Sequence, residues 1–218
     1  MTIEIWSDVV CPWCYIGKRR LESALSGFGH SGEVKIVWRS FELNPDAPHE
    51  EAGTLEEMLA AKYGMTLEEA TAANERITRL AAAEGLEYRL DRAKRGNSFD
   101  AHRLIHLAAS RGAQGAMKER LMRAYFTEGE AIADPAVLAR LGVEIGLDEA
   151  DARRMLAGSD LADEVRRDEE TAQSLGITGV PFFVIEGKWG ISGAQPKEVF
   201  SEALDSIWAE LHPSADPA

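Results

Sequence analysis

The chain has 218 residues, 45% of them hydrophobic and 28% charged, and its 24 Lys+Arg against 37 Asp+Glu leave a formal net charge of −13. That composition excludes a disordered chain, and the acidic balance argues against nucleic acid or an anionic membrane as partner, because both want clustered Lys and Arg. The length suggests one domain, or one domain with an insertion, long enough to bury a core without disulfide or metal staples.

No run approaches the ~18 consecutive apolar residues that span a bilayer. The start, MTIEIWSDVV, lacks a basic segment followed by an apolar stretch and a small-residue cleavage site. The expectation is a cytoplasmic protein, in a compartment that keeps thiols reduced.

In chain order, residues 3–7 alternate apolar and polar and predict a strand. Residues 14–28 predict a helix with a stripe of Tyr15, Leu21, Leu25 and Phe28, stopped around Gly27 and Gly29. Residues 34–41 (VKIVWRSF) are rich in β-branched and aromatic side chains and predict a second strand. The opening is therefore β-α-β, with the two strands parallel.

From residue 54 to 175 almost everything predicts helix, about six of them with short links. Thr54 with Glu57 and Thr66 with Glu69 fit the capping box. Asp134 precedes a proline suited to the first helical position, and Asp148 and Ser159 are further cap candidates. Residues 87–97 (EYRLDRAKRGN) have weak periodicity and predict a loop, basic within an acidic chain. After Gly176 the β signal returns. Residues 182–185 and 189–192 predict two strands joined by a turn, Pro196 opens a closing amphipathic helix, and the tail 213–218 predicts disorder.

Cys11 and Cys14 are the only cysteines, and they stand together as Cys11-Pro12-Trp13-Cys14 where the first helix begins. Proline favours the first helical position, which makes Cys11 the N-cap. Its sulfur then faces unpaired N–H groups and the positive end of the helix dipole, both of which favour thiolate over thiol. Cys14 sits one turn on, on roughly the same face, within reach of Cys11. The division of labour that follows makes Cys11 the sulfur that meets an outside sulfur, and Cys14 the one that resolves the mixed disulfide.

Three other readings compete. A structural disulfide would close only a four-residue loop, gain little entropy and not persist in a reducing compartment. A zinc site would combine the pair with His102 and His106, but about 90 residues separate the two pairs, against ~12–15 in common zinc motifs. The third is a pair of buried cysteines without a role. The redox reading needs no metal and no organic cofactor.

Gly179-Val180-Pro181 precedes the strand at 182–185. A cis Val180–Pro181 bond would expose the Val180 backbone; a trans proline merely opening the strand is the other reading. Trp13 either presents an apolar face to a substrate or simply packs. Asp8, three residues before Cys11, is either a proton acceptor or a solvated turn residue. Asn97 or Ser98 caps the helix on which His102 is placed to face the cleft, His106 reads as packed, and residues 121–126 read as core.

Together, IEIWSDVVCPWCYIGKRRLE and GITGVPFFVI resemble the thioredoxin fold of DsbA-like oxidoreductases, and look most like the cytoplasmic FrnE-type subfamily. The resemblance covers nearly the whole chain. It implies an α/β thioredoxin fold with a large α-helical insertion: residues 1–48 and 176–218 form the thioredoxin-like domain, a helix at 160–175 leads back into it, and 49–159 form the insertion, a lid beside the site. It implies a thiol–disulfide oxidoreductase or disulfide isomerase with Cys11 as nucleophile, Cys14 as resolving thiol, Pro181 as the cis-proline facing them, and Pro12, Trp13, Val180 and His102 on the substrate side, with Val180 offering backbone hydrogen bonds to an extended peptide. Partners are then protein or small-molecule thiols and disulfides, with glutathione as redox partner or cosubstrate, handled by a monomer or homodimer. The same architecture serves kappa-class glutathione transferases and 2-hydroxychromene-2-carboxylate isomerases, which typically carry serine at the place of Cys11, so a glutathione-dependent isomerase or transferase acting on an aromatic small molecule is the alternative. Trp13 stands where periplasmic DsbA proteins have histidine, which predicts a milder thiol pKa depression and a less oxidising couple.

Overall fold

Four strands form one sheet, and helices cover both its faces; the computed structural model describes residues 1–213. The strands are β1 (Thr2–Ser7), β2 (Lys35–Ser40), β3 (Phe182–Ile185) and β4 (Trp189–Ser192), in the spatial order β2-β1-β3-β4. β1 and β2 are parallel, as the β-α-β opening predicts, while β3 runs antiparallel to both β1 and β4. The expectation of a disordered tail over 213–218 falls, from residue 214 on, outside the described residues.

The strand period of two sorts the side chains. Ile3 and Ile5 align with Ile185 and Phe183 and bury one face of the sheet. Against that face lie α1 (Pro12–Gly27) and α9 (Lys197–Leu211), the latter through Phe200, Leu204 and Ile207. On the other face Trp6 and Val184 pack with Ala172 and Ile177 at the end of α8 (Ala162–Ser174), and the Trp6 indole N–H donates to the Asp168 carbonyl at 2.8 Å. β2 is an edge strand, and the amide of Gln114 pairs with it as another strand would: Oε1 accepts from Trp38 N at 3.0 Å and Nε2 donates to Trp38 O at 2.9 Å.

Between β2 and α8 lie α2 (Leu55–Tyr63), α3 (Leu67–Ala83), α4 (Phe99–Ala109), α5 (Gln114–Arg123), α6 (Pro135–Glu144) and α7 (Glu149–Ala157). Counting α8, residues 54–175 hold seven α-helices where the periodicity suggested about six. Both threonine capping boxes form, and Asp134 and Asp148 accept from Ala136 N and Asp151 N. Ser159 does not cap α8: the N-cap is Leu161, at φ 65°, with Ser159 contributing only its carbonyl to Ala162 N. α5 runs on into a π-helical turn, Ala124–Glu128, which the apolar stripe had hidden because it continues the same buried face. A short 3₁₀ turn, Leu90–Arg92, interrupts the loop at 87–97. One hydrophobic cluster runs from Ile3 and Ile5 through Cys14 and Ile16 to Leu104, Leu121 and Met155, so these helices and the sheet share a core.

Candidate active site

The link after β1 delivers Cys11 to the start of α1. Cys11 is the N-cap, in extended conformation at φ −87° and ψ 113°, and Pro12 occupies the first turn. The Cys14 N–H donates to the Cys11 carbonyl at 3.0 Å, which closes that turn. Both thiols are free and buried. Tyr88, from the irregular segment after α3, donates its hydroxyl to the Pro12 carbonyl at 2.6 Å while its ring stacks on Phe126, 4.6 Å between centroids.

Across from the cysteines, the Val180–Pro181 bond is cis, and the Cys11 S–H points at the Val180 carbonyl, with Sγ to O at 3.6 Å. A cleft of about 1140 Å³ opens here. Cys11, Pro12, Trp13 and Val180 line one end, and Leu55, Met58, Met65 and Ile77 of the helical segment line the other. Trp13 is 43% exposed on its wall. Cys14 is not part of the lining, so an incoming sulfur meets Cys11 first.

Beneath the pair lies a polar layer cut off from water. Asp8 is fully buried; its Oδ2 accepts from Leu43 N at 2.8 Å, and its Oδ1 faces His102 Nε2 at 3.4 Å. Burial would push its carboxyl up, but the His102 hydrogen bond and charge, the Leu43 N–H and Lys118 hold it below the usual carboxylate value. Burial keeps His102 below the usual imidazole value against the pull of Asp8. The layer is thus an Asp8 carboxylate accepting from a neutral His102. Lys118, from α5, donates to the Ser7 carbonyl at 2.9 Å.

The Cys11 thiol stands well above its usual value: the Cys14 sulfur and burial raise it, Asp8 adds to this, and the Cys14 N–H alone pulls it down. This corrects the expectation of a depressed thiol at the helix start. The N-cap position supplies one donor, and at 3% exposure the cost of a buried anion beside a second sulfur outweighs it.

A family model described as a DSBA-like thioredoxin domain matches residues 2–205. The chain belongs to this family. A probable DsbA oxidoreductase from Streptomyces coelicolor is 45% identical, with a TM-score of 0.92 over 100% of this chain and 92% of that one. The uncharacterized protein YwbO of Bacillus subtilis is 29% identical over 204 residues, covering 93% of this chain and 94% of its own. The cytosolic disulfide reductase DsbM of Pseudomonas aeruginosa, solved with GSH, shares the fold at 21% identity and a TM-score of 0.67, over 95% of this chain and 99% of that one.

Within this DsbA-like fold the structure gathers Cys11, Pro12, Trp13 and Val180 on one wall, with Pro181 just behind Val180. It does not bring His102 there. That side chain is 1% exposed and turned toward Asp8, because α4 lays its apolar face, Ala101, Leu104 and Ile105, into the core and takes His102 along. His106, one turn on, serves a different carboxylate, Asp168, at 3.1 Å, so the two histidines do not converge. Ser98 is the N-cap of α4, without a side-chain cap bond, and lines the cleft, while Asn97 accepts from Phe99 N at 2.7 Å. Two residues escaped the sequence reading. Tyr88 carried no signal within its aperiodic segment. Lys118 did carry one: with Leu121, Met122 and Tyr125 it falls at i, i+3, i+4 and i+7, a charge on a helix's apolar stripe.

Proposed function

We propose that the chain is a cytoplasmic thiol–disulfide oxidoreductase in which Cys11 is the nucleophile and Cys14 the resolving thiol. The observation that carries this is their unequal access: both thiols are free and one helical turn apart, yet Cys11 alone lines the cleft. The Cys11 sulfur attacks a substrate disulfide, forming a Cys11–substrate S–S bond and releasing one substrate thiol. Cys14 then attacks Cys11 Sγ, the internal disulfide forms, and the second substrate thiol leaves. The substrate gains two electrons and the protein loses two; glutathione, by its chemistry, can restore the dithiol, and the steps in reverse oxidise a substrate dithiol. Protein or small-molecule thiols and disulfides are the partners, Val180 and Trp13 form the substrate wall, and no metal or organic cofactor takes part. The cytosolic reductase named among the structural relatives, solved with GSH, supports this reading.

The test is Cys14→Ser exposed to glutathione disulfide and read by mass spectrometry. The expected product is one glutathione trapped on Cys11, with none on Cys11→Ser. A Cys14→Ser protein that traps nothing yet isomerises an aromatic substrate with glutathione as fully as wild type would instead establish the glutathione-dependent alternative.

A further inference from the structure

Lys118 is 1% exposed, and among the described residues its ammonium makes one hydrogen bond, to Ser7 O, and no ion pair. Its Nζ lies 5.6 Å from the centre of the Trp38 ring, a partial compensation for a charge removed from water. Asp8 from the β1–α1 link, Cys11, Cys14 and Lys18 from α1, and His102 from α4 are the charged and titratable groups whose fields reach it. Lys18 is already matched, bonded to Glu22 and Glu119 at 2.5 Å each. Asp8 is negative and repels an anion on sulfur. Cys14, 1% exposed, has no water to stabilise its anion. Lys118, bonded to the last residue of the strand that leads into the Cys11 turn, is therefore the uncommitted positive charge whose field reaches the pair.

Resting on the thiol–disulfide reading, we propose that Lys118 is the buried counter-cation of the Cys11–Cys14 pair, stabilising the sulfur anion that develops as Cys14 resolves a mixed disulfide on Cys11. In that step the Cys14 S–H gives up its proton, the Cys14–Cys11 S–S bond forms, the Cys11–substrate S–S bond breaks, and the departing sulfur takes a proton and leaves as a thiol. Negative charge passes from Cys14 to the departing sulfur in front of an ammonium whose pKa burial lowers to about 8 and which is therefore still charged at neutral pH. Lys118 acts through space on these sulfurs and so is a positioning charge.

The experiment mixes reduced protein with one equivalent of 5,5′-dithiobis(2-nitrobenzoate) and follows thionitrobenzoate release between pH 5 and 9. The first equivalent reports attack by Cys11 and the second reports resolution by Cys14. In Lys118→Met the second release is expected to be about tenfold slower at pH 7, its pH limb moved about one unit toward alkali, while Lys118→Arg keeps the wild-type limb. A Lys118→Met protein whose second release matches wild type in rate and pH limb overturns the proposal. A wild type that releases a single equivalent, Cys14 still reduced, overturns the thiol–disulfide reading itself, and the two failures are thus distinct. A second variant covers a Lys118→Met protein that does not fold: Lys118→Gln keeps a donor for the Ser7 carbonyl without the charge, and a second release that matches wild type in rate and pH limb again overturns the proposal.

Discussion

Gly17 of α1 and Pro181 meet with no side chain between them: a Cβ on Gly17 would stand 3.0 Å from Pro181 Cγ and 3.3 Å from Phe183 Cζ. The helix that carries the cysteines is thus seated directly on the segment that faces them. Alanine here gains up to ~1 kcal/mol of helix propensity, which offsets much of its crowding. Valine adds branches into a contact already tight, and overpacking of this kind costs about 1–3 kcal/mol. Gly17→Val should melt roughly 2–10 °C below wild type, and Gly17→Ala within a few degrees of it. Thermal scans of the reduced proteins check this; a valine variant as stable as wild type would contradict the contact.

Among the described residues the Tyr88 hydroxyl is the one side-chain donor to the Pro12 carbonyl, and Tyr88 itself is buried. Tyr88→Phe keeps the stack on Phe126 and removes only the donor, leaving the Pro12 carbonyl without its bond from outside α1. The expected loss is about 1 kcal/mol in urea denaturation, with faster alkylation of Cys11 as the turn loosens. Equal stability and equal alkylation would show that the bond does not hold the turn.

The chemistry-bearing turn and the sheet were legible because their signals are local: a proline at the first helical position, alternation in residues 3–7, threonine three residues before glutamate. His102 was misplaced for a different reason. Helical spacing says which residues share a face, but not whether that face meets a cleft or a core, and α4 turns its face inward. The Cys11 thiol was misjudged likewise, because the helix-end donor is written in the sequence whereas the close approach of the Cys14 sulfur and the burial of the pair are properties of the assembled fold. Lys118 was readable in principle, as the charge in an apolar stripe, but its partner Ser7 lies 111 residues away.

Two buried groups should tilt stability against pH in opposite directions. Burial holds His102 below its ordinary value, so between about pH 6.5 and that lower value the unfolded chain binds a proton the native one refuses. Stability from this source is present above about pH 6.5 and is lost as pH falls. Glu42 is raised to about 7, by burial first and then by Glu169, and one of its oxygens has no partner. It contributes stability below its unfolded value near 4.5, and loses it as pH rises through about 7. In wild type the two partly cancel. Urea denaturation from pH 5 to 8 should show Glu42→Gln losing stability toward acid more steeply than wild type, and His102→Gln losing it toward alkali. Parallel curves for all three proteins would refute both assignments.

Asp8 and Lys118 flank the same sulfurs with opposite charges, so their removal should move thiol chemistry in opposite directions. The Asp8 carboxylate is ionised and fully buried, and its field adds to the causes that raise the Cys11 thiol. Asp8→Asn keeps the shape and can still accept from Leu43 N and from His102, but it removes the negative charge. The Cys11 thiol should then lose its proton at lower pH, and iodoacetamide labelling of the reduced protein should show its limb displaced toward acid by up to about one unit. Near neutral pH, where the wild-type sulfur is mostly protonated, that displacement makes labelling several-fold faster. Since Cys14 is hidden from the cleft, peptide mapping should find the added label on Cys11. A limb that stays in place, or moves toward alkali, would show that the field of Asp8 does not reach the sulfur.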